Sequence, residues 1–197
     1  MVSRYQSNPG PDHWVAVKRI LRYLKGTSDL ALCCHGGSLR LVGYSDADGS
    51  ADRDERKSTS GYAFLLGGAA ITWCSKKQPC ISLSIMEAEY AACTSAAQEA
   101  IWLRRFLKSL RILAHINDAV VIYCDNTVTI AYVKDLKYHR RTKHIDTRYH
   151  FIRDSIAQGE VVLRHIPTND MIADPFTKPL RRDAFHRHVS SMRLRRI

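Results

Sequence analysis

The chain has 197 residues, 45% of them hydrophobic and 25% charged, with 10 Gly and 6 Pro. That composition supplies one hydrophobic core and excludes a disordered tail, a collagen-like fibre and a low-complexity linker. Thirty Lys and Arg against 19 Asp and Glu give a net charge of +11. Residues 134–148 hold six Lys/Arg against Asp135 and Asp146, and residues 181–197 hold six Arg against Asp183, so +9 of the +11 sits in two segments. Such clusters suit a polyanion, or simply a solvated basic face. No run of 18 apolar residues exists, so no membrane-crossing helix is expected. The first residues lack the apolar centre of a secretory signal, which predicts an intracellular protein.

Residues 11–25 predict an amphipathic helix, with Pro11 to open it, Trp14, Val17, Leu21 and Leu24 at helical spacing, and Gly26 as a stop. A short apolar run at 30–34 precedes a Gly-rich turn at 35–38. Strand signals follow at 39–47, 61–66 and 69–75, the last two flanking Gly67–Gly68, a pair that suits a hairpin turn. Residues 84–110 read as one long helix with two apolar stripes. The run 119–123 reads as a buried central strand, then helices are expected over 126–134 and 143–157. A strand at 161–166 leads through Asp170 and Asp174 to a last basic helix. The order β-β-β-α-β-α-α-β-α is that of an α/β layered fold, with an antiparallel hairpin start rather than a repeating βαβ unit.

Six cysteines (33, 34, 74, 80, 93 and 124) form no CxxC pair, and adjacent Cys33 and Cys34 are badly placed to bridge each other. Free thiols are expected. A zinc site is not, because His139, His144 and His150, and likewise His186 and His188, have no cysteine close in sequence.

Four acids stand at element boundaries: Asp46, Glu87, Asp125 and Asp174. Each has a structural explanation. Ser84-x-x-Glu87 is a capping box, Asp125 and Asp174 precede helical segments, and Asp46 suits a turn. The segment 46–52 also resembles a calcium loop, but the sixth and twelfth positions are Ala51 and Lys57 where Gly and Glu are required. Taken together, acids at the ends of neighbouring strands in an open α/β sheet converge on one site. Their mutual repulsion is relieved by two divalent cations, and Mg²⁺ suits hard oxygen ligands. An acidic centre between basic flanks is the arrangement of a metal-dependent nuclease.

The segments GYSDAD (43–48), RKSTSGY (56–62), SKKQP (75–79), MEAEY (86–90), CDN (124–126), RTKHIDTRYHFIRD (141–154) and ADPFTKPL (173–180) carry a resemblance. In this order they resemble the ribonuclease H domain of Ty1/Copia-type LTR retrotransposon polyproteins. Residues 8–32 look like the segment that joins reverse transcriptase to that domain. The resemblance implies a ribonuclease H-like fold, a mixed five-stranded sheet flanked by helices, with residues 1–36 the tail of the connecting segment and 37–197 the domain. It implies endonucleolytic cleavage of the RNA strand of RNA–DNA hybrids by two Mg²⁺ ions, with Mn²⁺ able to substitute. The matching acids are Asp46, Asp125, Asp174 and, from the EAEY motif, Glu87, with Glu89 as the alternative. Arg140, Arg141, Lys143 and Arg148 are the candidate hybrid contacts, and the implied protein partner is the reverse transcriptase of the same polyprotein. The implied location is the cytoplasm, a virus-like particle or the nucleus. The alternatives are a catalytically silent nucleic-acid-binding relic, or a transposon-derived interaction or secreted effector protein.

Overall fold

Every strand signal between residues 39 and 166 enters one sheet in the computed structural model, which describes residues 2–34, 39–49, 55–111, 118–135 and 146–197 (for Arg4 and residues 146–150, the backbone alone). Its strands are β2 (Leu41–Ala47), β3 (Thr59–Leu66), β4 (Ala69–Lys77), β5 (Val120–Cys124) and β6 (Val161–His165). The order across the sheet is β4-β3-β2-β5-β6. β4, β3 and β2 run antiparallel, whereas β2, β5 and β6 run parallel. The hairpin between β3 and β4 turns at Gly67 and Gly68, whose φ values of 60° and 82° both need the left-handed region.

The long helix α2 (Ile85–Ser109) crosses one face of the sheet. Ala88, Ala92, Ala96, Ala97 and Ala100 are fully buried, and such small side chains let a helix lie close to the strands beneath. Phe64, Tyr90, Ile122, Ile152 and Leu163 fill the main core. Ile85 and Leu110, apolar residues at the two ends of the helix, emerge into solvent. Helices α3 (Thr127–Lys134) and α4 (Asp146–Ala157) pack beside α2.

Two features depart from the sequence reading. The last helix, α5 (Arg182–Ser191), begins eight residues after Asp174, because Pro175 and Pro179 interrupt the intervening chain, which forms only a 3₁₀ turn at Asp174–Phe176 after an earlier one at Thr168–Asp170. A further short strand, β7 (Leu194–Arg196), pairs antiparallel with β1 (Leu30–Leu32). With one apolar residue in three it carries no alternation to read. The predicted first helix forms as α1 (Pro11–Gly26), yet none of its residues is buried. Among the described residues, no helix is long and apolar enough to cross a membrane.

Candidate active site

β2 and β5 are neighbours and parallel, so their C-terminal ends open on the same edge of the sheet. Asp46 is the next-to-last residue of β2, and Asp125 immediately follows β5. The chain leaving β6, the other neighbour of β5, passes the same edge and contributes Asp174. Asp46, Asp125 and Asp174 each offer a carboxylate oxygen within 4.8 Å of the others. Three of the four acids expected from sequence therefore meet.

Glu87 does not join them. Its backbone N–H donates to Ser84 Oγ at 3.1 Å, and its own Oε2 accepts from the Leu83 N–H at 2.8 Å. The side chain is consumed at the helix start, where Ser84 caps the helix and Glu87 reaches back to Leu83, one residue before the cap, instead of closing the expected capping box on Ser84. Glu89 is the acid that faces inward, only 3% exposed, with its carboxylate, Cys124 Sγ and an Asp125 oxygen all within 4.8 Å. Two residues along a helix rotate the side chain by about 200°, so Glu87 and Glu89 cannot both face the sheet. The alternative within the EAEY motif is the one the fold brings to the cluster.

The supporting shell was not visible in the sequence. Thr177 Oγ1 donates to Asp46 Oδ2, and Thr168 Oγ1 donates to Asp125 Oδ2 at 2.8 Å. Lys178 Nζ lies 2.9 Å from Asp174 Oδ1 and 3.6 Å from Asp46 Oδ2. At the end of β2, Asp48 Oδ1 accepts from the Thr59 N–H at 2.6 Å and ties the strand ends together. His188 of α5 is buried, its pKa lowered by that burial although the charge of Asp174 opposes the shift. The only available signal was the ADPFTK run, which places Thr177 and Lys178 three and four residues after Asp174. Arg140, Arg141 and Lys143 lie outside the described residues, as does the side chain of Arg148.

The cluster holds more negative charge than it neutralises. Burial pushes the Asp46 carboxyl up to about 6, and the Asp174 and Asp125 charges add to the rise against Thr177 and Lys178. Burial likewise pushes Glu89 up to about 10, with Cys124, Asp46 and Asp125 acting in the same direction. Asp174 is raised by burial against the pull of Lys178. Burial would lower Lys178, but its bond to Asp174 and the surrounding carboxylates prevail and raise it, so this ammonium stays charged. One cation facing four acids leaves a deficit of positive charge among hard oxygen donors, and a magnesium-class ion fits that donor set.

No protein-family model matches the chain. The Pol polyprotein of transposon TNT 1-94 from Nicotiana tabacum is 48% identical over 185 residues, 94% of this chain and 14% of that protein. The Pol polyprotein of transposon RE2 from Arabidopsis thaliana is 42% identical over 185 residues, 93% of this chain and 13% of that protein. The chain thus spans about one seventh of the length of these relatives. Secreted RxLR effector protein 161 of Plasmopara viticola is 49% identical over 104 residues, 52% of this chain and 73% of the effector. Among solved structures, LC11-RNase H1, crystallised in complex with RNA/DNA hybrid, superposes with a TM-score of 0.51 at 16% identity, over 70% of this chain and 94% of that one. The fold is ribonuclease H-like.

Proposed function

The chain belongs to the Copia-type retrotransposon Pol polyproteins, and from that premise we propose that it is their ribonuclease H, cutting the RNA strand of RNA–DNA hybrids. The observation that supports this most is the convergence of Asp46, Asp125 and Asp174 within 4.8 Å, with Glu89 sharing Asp125 from the helix side. Two Mg²⁺ ions, or Mn²⁺, would supply an activated water and stabilisation of the leaving 3′-oxygen. Asp46, Glu89, Asp125 and Asp174 are the residues that would hold them. Thr177 and Thr168 fix the orientation of Asp46 and Asp125, so the donors are set before any ligand arrives. Lys178 offsets part of the carboxylate charge and, with its ammonium at the edge of the cluster, is available to a phosphate oxygen. The basic segments at 134–148 and 181–197 would carry backbone contacts to the hybrid, and the reverse transcriptase of the same polyprotein is the proposed protein partner.

The test is Mg²⁺-dependent cleavage of a labelled RNA–DNA hybrid, beside duplex RNA and duplex DNA. Asp125→Asn and Glu89→Gln should each lower the rate at least a hundredfold, while Glu87→Gln should stay within a few-fold of the parent. A hybrid left intact by a folded, hybrid-binding protein would instead identify a silent relic. Activity lost with Glu87→Gln but kept with Glu89→Gln would overturn the site. The effector match favours a second reading, an interaction module on the same fold, and that reading expects acid substitutions to leave its binding unchanged.

A further inference from the structure

The sequence offers no local cluster of soft metal ligands, but the fold assembles one beside the acidic site. Glu89 and Cys93 stand four residues apart on α2 and so share the face turned toward β5. Cys124 closes β5 and Asp125 follows it. Cys124 Sγ, a Glu89 carboxylate oxygen and an Asp125 oxygen lie within 4.8 Å of one another, with Cys124 Sγ 4.0 Å from Glu89 Oε2. The Cys93 thiol hydrogen-bonds to Cys124 from the other side, and both cysteines are fully buried. Beneath them Ser45, also fully buried, lies against Cys93. One sulfur and two carboxylates thus converge, with Cys93 bonded behind Cys124.

We propose that Cys124, Glu89 and Asp125 form a binding site for thiophilic divalent cations of the zinc and cadmium class, with Cys93 supporting Cys124 from behind, and that a cation held there takes Glu89 and Asp125 away from the magnesium-binding acids. Thiolate donors select such ions over Mg²⁺, which prefers oxygen alone. Bonds of ~2.3 Å to sulfur and ~2.1 Å to oxygen place tetrahedral donors roughly 3.6 Å apart. The present spacing therefore closes with side-chain adjustment of about 1 Å. Asp125 belongs to both donor groups, so occupancy of the sulfur site and of the acidic site compete. The inhibitory half of the proposal rests on the nuclease reading; the binding half does not.

Cd²⁺ is the probe, because each cadmium–thiolate bond adds ultraviolet charge-transfer absorption. The other four cysteines, Cys33, Cys34, Cys74 and Cys80, are at least partly exposed and are replaced by serine to remove their background. In that protein, one equivalent of Cd²⁺ should produce the thiolate band. Cys124→Ser should weaken Cd²⁺ binding at least tenfold and abolish the band, whereas Cys93→Ser should keep it, with circular dichroism verifying the fold of both. Asp46→Asn, which removes an acid outside the sulfur group, should bind Cd²⁺ with the band intact. With a hybrid substrate and Mg²⁺, Cd²⁺ should inhibit the parent at least tenfold more strongly than Cys124→Ser. Absence of the band, or Cd²⁺ binding that survives Cys124→Ser, overturns the site. If no protein cleaves the hybrid in Mg²⁺, the nuclease reading fails while the band still decides the metal site.

Discussion

At the scale of single residues, the site acids are held against their own preference. Asp46 is 1% exposed, and its carboxyl titrates near 6 in the folded chain against an ordinary value of 3.8. A raised acid binds its proton more tightly folded than unfolded. Its contribution is therefore most favourable below about pH 4 and is lost as the pH climbs toward 6. Asp46→Asn removes that loss while keeping an oxygen for the Thr177 hydroxyl. In the presence of a chelator, the variant should be more stable than the parent by about 1–3 kcal/mol at pH 7.5, and the difference should vanish at pH 4. Glu89 behaves in the same sense over a wider window, because it keeps its proton up to about pH 10 when folded, whereas in the unfolded chain it is ionised above its ordinary value of 4.5, so folding at pH 7.5 must return a proton to it. Glu89→Gln removes that cost and should therefore also be more stable than the parent at pH 7.5 in the presence of a chelator, with the difference vanishing at pH 4. Denaturant unfolding of the three proteins at both pH values checks the ordering; a parent as stable as Asp46→Asn at pH 7.5 would mean that the carboxylate is already neutralised.

At the scale of elements, the site depends on how closely the segment after β6 lies on β3. Gly61 pairs across the sheet with Asp46, and a Cβ there would come within 2.6 Å of Thr177 Cγ2, 3.0 Å of Phe176 Cβ and 3.3 Å of the Ala173 carbonyl oxygen. Backbone sits among those neighbours, so the segment carrying Asp174 and Thr177 must move. Gly61→Ala should cost about 1–3 kcal/mol and lower hybrid cleavage at least tenfold. Gly26→Ala, where a Cβ meets nothing within 4 Å, serves as the neutral control. Equal activity in the two variants would show that the segment adjusts without disturbing the acids. The sequence announced β2, β5 and their terminal Asp46 and Asp125 because strand periodicity and flanking polar residues are local signals. It could not announce Glu89. Glu87 and Glu89 sit in the same motif, and only the rotation of α2 against the sheet decides which one turns inward. Lys178 and Thr177 were equally silent, since their partner Asp46 lies 131 residues before Thr177. The Cys93–Cys124 contact is also long-range, so local ligand spacing gave no hint of it. β7 was missed because a strand of Leu-Arg-Arg is specified by its partner β1 and not by its own pattern.

At the scale of the molecule, the two ends of the chain are tied together in a way that bears on where an independent domain begins. β1 and β7 form their own two-stranded sheet, joined further by the Cys33 N–H to the Arg193 carbonyl at 3.0 Å, the Ile197 N–H to the Asp29 carbonyl at 3.0 Å and an Arg196–Asp29 ion pair at 3.2 Å. α1 has no comparable hold: none of its residues is buried, and Trp14, Ile20, Leu21 and Leu24 are each more than half exposed. Among the described residues, its ring contact beyond the N-terminal segment is Tyr23 against Phe185 at 6.2 Å. A boundary at residue 36 removes β1 and leaves β7 without its partner, whereas a boundary at Thr27 keeps the pair. Deleting residues 1–26 should therefore shift the melting temperature by no more than about 2 °C, because little apolar surface leaves the core. Deleting residues 1–36 also removes the β1·β7 hydrogen bonds and half-buried Leu30 and Ala31, a cost of about 1–3 kcal/mol, or roughly 3–10 °C at this chain length. Calorimetry on the two shortened chains and the parent decides between the boundaries. Equal melting temperatures for both truncations would show that the paired ends add nothing to the sheet domain, and a large loss on removing residues 1–26 alone would show that α1 is part of it.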